Sequence, residues 1–154
     1  MNKLKNVLLA SHGTEGARAA ERMALALCPR GCRLYHLIVV PEFWKGMMGD
    51  DWLNNVSTRM VYAKYIESTL EAEVAREVRR FSREARKRGL RYEAEMAFGK
   101  PTECLLARLK RSSPDLVIMG ALRPKKRTGL RSRMLTDDVL RAVKVPLIIA
   151  PYPK

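Results

Sequence analysis

The apolar positions of the chain fall into runs of two kinds. Short continuous runs occur at Asn6–Ala10 (NVLLA), Leu34–Val40 (LYHLIVV), Leu116–Met119 (LVIM) and Pro146–Ala150 (PLIIA). Unbroken apolarity over four to seven residues predicts strands covered on both faces. Between them the spacing changes to steps of three and four. Ala19, Ala20, Met23 and Leu27 mark a first helix ending near Cys28, where Pro29 and Gly31 stop it. Ile66, Leu70, Val74, Val78, Phe81 and Ala85 mark a second, terminated by Gly89. Leu105, Leu106 and Leu109 mark a third, opened by Pro101 and closed near Ser112-Ser113-Pro114. A last helix carries Val139, Leu140 and Val143, with Asp137 and Asp138 placed to satisfy its dipole. Leu90–Phe98 alternates instead, with Leu90, Tyr92, Ala94, Met96 and Phe98 on one face. That is the pattern of a half-exposed edge strand.

Strands alternating with helices imply right-handed crossovers and a mostly parallel sheet with helices on both faces. The 154 residues, without repeat or linker, are expected to form one domain over 1–154. One segment breaks the pattern. Pro41–Asn55 holds Phe43, Trp44, Met47, Met48, Trp52 and Leu53 with no sustained period. It reads either as a partner surface, Phe43 to Leu53 being adaptable aromatic and Met side chains, or as a cap folded onto its own sheet.

Charge adds a second constraint. The formal net charge is +14. Such an excess favours polyanions through the field of the whole surface, without groove-reading geometry, so sequence-specific nucleic-acid binding is not expected. In the second helix acids precede bases, which suits the dipole and reads as a solvated face.

Candidate chemistry is sparse. The three cysteines are odd in number; Cys28 and Cys32 are spaced C-x3-C with no histidine nearby, which suits small apolar residues at a helix end rather than a metal or redox pair. No leader-like or membrane-length apolar run is seen, so a reduced cytoplasmic setting and no membrane association are expected. His36, inside an apolar strand, reads as a satisfied core residue. With only His12 and His36, and with no G-x-S-x-G, H-E-x-x-H or G-x-x-x-x-G-K-[ST], no catalytic set is expected. Weak ATP hydrolysis stays open.

Four stretches resemble the universal stress protein family: Lys5–Thr14, Leu34–Val39, Phe98–Pro101, and Asp115–Gly120 followed by Val139–Ile149. The resemblance spans essentially the whole chain. It implies a Rossmann-like α/β sheet of order 3-2-1-4-5, a homodimer paired through the last strand and, in one branch, an ATP site. Carried onto this chain, that site falls at Ala10, His12, Leu37, Met119, Gly120, Arg123, Arg133, Met134 and Leu135. The branch carries G-x2-G-x9-G-(S/T). Gly120 matches, but Arg123 and Arg133 replace glycines, Met134 replaces the Ser/Thr, and His12 replaces an Asp. Glycines let backbone N–H groups reach phosphates; arginine crowds that approach and Met134 donates no strong hydrogen bond. Yet Arg123, Lys125, Lys126, Arg127, Arg131 and Arg133 crowd this acid-free loop. Three readings follow: a non-enzymatic regulatory protein with a degenerate pocket, a nucleotide switch gripping phosphate by charge, or a polyanion-associated protein. No cofactor is certain, and ATP is open.

Overall fold

The structure is a computed structural model that describes residues 3–11, 15–40, 72, 74–98, 100–121 and 137–151. Five strands, β1 (Asn6–Ser11), β2 (Arg33–Val40), β3 (Arg91–Phe98), β4 (Leu116–Gly120) and β5 (Leu147–Ala150), form one sheet in the order β3-β2-β1-β4-β5. All four pairings are parallel. The order and the edge position of β3 are those expected.

Among the described residues, helices cover the sheet at α1 (Glu15–Leu27), α2 (residues 74–87), α3 (Pro101–Arg111) and α4 (Asp137–Ala142). β1 shows why an unbroken apolar run was needed. Val7 and Leu9 enter a core with Ala20 and Ala24 of α1 and Phe81 and Ala85 of α2. Leu8 and Ala10 enter a second core with Leu105 of α3 and Val139 of α4. Successive side chains of one strand thus feed opposite layers.

Local chemistry sets the connections. α2 ends where Leu90 N–H donates to Ala85 O at 3.0 Å and Gly89 N–H to Arg86 O at 3.0 Å. This paired closure needs a left-handed residue, which Gly89 supplies at φ +75°. Asp115 joins the starts of two strands: its carboxylate accepts the Lys5 and Asn6 N–H groups at 2.8 and 2.9 Å, and its own N–H donates to Asn6 O at 2.8 Å. Those backbone donors hold the Asp115 carboxyl below its usual range.

α1 and α2 meet across charge. Glu21 is buried, and Arg80 reaches it at 3.0 Å while holding Glu77 at 2.7 Å. Burial raises the Glu21 carboxyl despite the attraction of Arg80. On the other layer Tyr35 donates to Glu95, and the Arg108 guanidinium stacks 3.5 Å from the Tyr35 ring centre.

Two helix expectations need correction. Leu27 is 40% exposed and Leu140 50% exposed, so neither is core. Leu27 is the last residue of α1, and it is the next residue, Cys28, that enters the core; α4 spans six residues and turns only Val139 fully inward. Ile66, Leu70, the Pro41–Asn55 segment and Thr14 lie outside the described residues.

The contrast between Phe81 and Leu27 is measurable. Phe81→Ala is expected to cost about 3–5 kcal/mol in urea unfolding. Leu27→Ala should cost under about 1 kcal/mol. Equal losses would refute this division of the core.

Candidate functional site

The direction of winding places the site. From β1 the chain moves outward through α1 to β2 and on to β3, then returns through α3 to β4 on the other side of β1. The two directions part between β1 and β4, and the crevice beyond their carboxyl ends is where open α/β sheets bind ligands.

Four of the nine expected site residues are described, and the fold brings them together. Ala10 stands in register with Leu37 on one side and Met119 on the other. Each is at most 1% exposed. They form an apolar row across three strands at the sheet's carboxyl end, and Gly120, half-buried, follows Met119. The side chains of Ala10, Leu37 and Met119 are packed into the second core with Leu105 and Val139. His12, Arg123, Arg133, Met134 and Leu135 lie outside the described residues, as do Lys125, Lys126, Arg127 and Arg131.

Beneath the crevice runs a polar chain. Ser11 closes β1 with its hydroxyl 2.7 Å from His36 Nε2, and His36 Nδ1 lies 2.7 Å from the Tyr92 hydroxyl. The His36 ring also meets Phe81 and Tyr92 at centroid distances of 5.4 and 5.8 Å. Burial pushes the His36 pKa down to about 3 and holds the imidazole neutral. Burial likewise raises the Tyr92 phenol, with the Glu21 charge adding to it. Each ring nitrogen is occupied, so His36 is the satisfied core residue expected. The expectation omitted its partners. Ser11 is two residues beyond Leu9, which pairs with His36; Tyr92 pairs with Leu34, two residues before His36. The period of two puts all three on one sheet face, a signal available once the register is known.

Cys28 and Cys32 are buried at the end of α1 and the start of β2, as expected of apolar residues. Burial pushes the Cys28 thiol up to about 12, a poor nucleophile or ligand. Among the described residues, no group of three or more His, Cys, Asp or Glu is placed to hold a metal ion. Among them also, no helix is long and apolar enough to cross a membrane.

The model of the universal stress protein family matches residues 3–151. No curated protein matches the chain. Several solved structures share its fold. Hypothetical protein MJ0577 superposes with a TM-score of 0.75 at 15% identity, covering 99% of each chain. Universal stress protein UspA from Lactobacillus plantarum gives 0.74 at 16% identity, over 97% of this chain and 99% of the other. A universal stress protein family protein from Arabidopsis thaliana, solved with AMP bound, gives 0.62 at 13% identity, over 97% and 92%.

The His36 chain has a pH signature. The folded pKa, about 3, lies below the ordinary value of 6.5. Between the two, the unfolded state binds a proton that the folded state refuses. Stability contributed by the neutral ring is therefore full above pH 6.5 and falls as pH drops towards 3, by about 1.4 kcal/mol per pH unit. His36→Gln should flatten that part of the stability profile relative to the native chain, read by urea unfolding across pH 4–7. An identical slope in both proteins would contradict the assignment.

Proposed function

The chain belongs to the universal stress protein family, and from that premise we propose that it is a non-enzymatic regulatory protein whose nucleotide pocket is degenerate. The observation that carries this reading is the sequence from the end of β4 onward. It keeps Gly120 and loses the other three positions of the ATP-branch pattern to Arg123, Arg133 and Met134. Without those glycines, successive backbone N–H groups lack room at a triphosphate. The histidine paired with the Ser11 hydroxyl is buried and its second ring nitrogen is taken by Tyr92, which favours a structural use of that pair over turnover. Protein partners would meet the aromatic and Met side chains of Phe43–Leu53.

A second reading is favoured by one observation, that a relative of this fold was solved with AMP bound. Here the loop arginines would hold an adenine nucleotide by charge-assisted hydrogen bonds in place of a backbone cradle.

The dimer is part of the proposal. Among the described residues β5 pairs only with β4, and Ile149 is 39% exposed at this short apolar edge. A second copy pairing along β5 would cover it.

Calorimetric titration with ATP and Mg²⁺ separates the readings. The first expects no heat of binding and no co-purified nucleotide. The second expects micromolar or tighter binding, lost by about tenfold or more in Arg123→Ala/Arg127→Ala. For the dimer, Ile149→Lys should shift the mass measured by light scattering from two copies to one. A dimeric mass that survives the substitution would place the contact elsewhere.

A further inference from the structure

The opposite end of the sheet holds a cleft of about 490 Å³. Five cations line it, Lys3, Lys5, Arg30, Arg33 and Arg91, and no acid does. They arrive from three separate segments: the lead into β1 (Lys3, Lys5), the turn between α1 and β2 with the first residue of β2 (Arg30, Arg33), and the first residue of β3 (Arg91). Backbone hydrogen bonds lock those segments together. Arg33 N–H donates to Lys5 O at 2.8 Å, Arg91 N–H to Cys32 O at 2.9 Å, and Gly31 N–H to Gly89 O at 2.9 Å. Gly31 takes φ +86° to make the turn. The charges are therefore gathered by a fixed frame, which lowers the ordering cost of binding.

These cations are little neutralised. All five are exposed. Among the described residues, only Arg33 has a carboxylate within 4 Å, that of Glu93 at 3.9 Å, with both side chains more than half exposed. A pair of that kind contributes little. Asp115, beside Lys5, already accepts two backbone N–H groups. Three to five residues ahead of Arg91 in the chain, the end of α2 and its cap carry exposed Arg86, Lys87 and Arg88; Lys87 also touches Glu84 at 3.6 Å, and Arg88 donates one N–H to Leu25 O at 3.3 Å. Like charges held close repel one another, and a bound anion relieves that cost.

The residues lining the cleft include no aromatic ring, so it offers no aromatic platform for a base. A single phosphate would leave the Arg86–Arg88 cations unused. We infer that this cleft binds the sugar–phosphate backbone of a nucleic acid without reading its sequence, the basic end of α2 extending the track. The site is separate from the crevice at the carboxyl ends of β1 and β4, and it stands or falls independently of nucleotide binding there.

The test is fluorescence anisotropy of the full chain with a short labelled duplex of mixed sequence, over a series of salt concentrations. Lys3→Ala/Arg30→Ala/Arg91→Ala should weaken binding about tenfold or more at low salt and flatten the log–log salt slope by about 2 to 3. A control of equal charge loss elsewhere, Lys110→Ala/Arg141→Ala/Lys144→Ala, should change affinity by less than about twofold. Equal losses in the two triples would make binding a whole-surface effect and overturn the site. Binding of tripolyphosphate without binding of the duplex would overturn the polymeric ligand, as would no binding at all. An unchanged thermal melt excludes unfolding. Should the triple variant be unstable, Lys3→Glu, on the segment ahead of β1, repeats the comparison.

Discussion

Everything in this molecule depends on β1 being covered on both faces and flanked on both sides. A parallel strand in that position has no solvent-facing residue to spare, and five of its six residues are buried. Right-handed crossovers then put α1 and α2 on one layer and α3 and α4 on the other, because the chain reverses its direction of travel at β1. The crevice at the carboxyl ends of β1 and β4 follows from the reversal. It is a property of the winding, present whatever side chains line it.

The same burial sets the terms for polar groups. His36 sits in the centre of the sheet and is tolerated because Ser11 and Tyr92 occupy both ring nitrogens. Glu21 is tolerated because Arg80 reaches across from α2. The two devices differ in electrostatics. The imidazole is kept neutral by its surroundings, whereas the carboxylate is met by a cation that is itself half in solvent. Losing Arg80 would leave a buried acid without its counter-ion; losing Tyr92 would leave an unpaired nitrogen.

Much of the fold was legible because strands and helices announce themselves by period. The continuous runs at β1, β2, β4 and β5 and the alternation at β3 located all five strands, and the family resemblance supplied their order. What periodicity could not supply was depth. Leu27 and Leu140 keep helical spacing but sit where no layer covers them, and spacing carries no information on that. Nor could it reveal Glu21, whose burial requires an arginine 59 positions away. At the site, Ala10, Leu37 and Met119 were placed by resemblance, and strand register brought them into one row. Ser11 escaped because a serine after an apolar run reads as the start of a turn, when it is the last rung of the strand.

The length of β1 carries one further implication. Six residues at about 3.3 Å each separate the two ends of the sheet by about 20 Å. Charges at that distance in physiological salt are insulated from one another, since screening acts over about 8 Å. A ligand proposed for the cation-lined cleft and one proposed for the carboxyl end of β1 and β4 would thus not compete electrostatically. Any communication between them would have to be mechanical, carried along a stiff, fully paired strand. If both ends take a ligand, occupancy of one is free to be recorded separately from occupancy of the other.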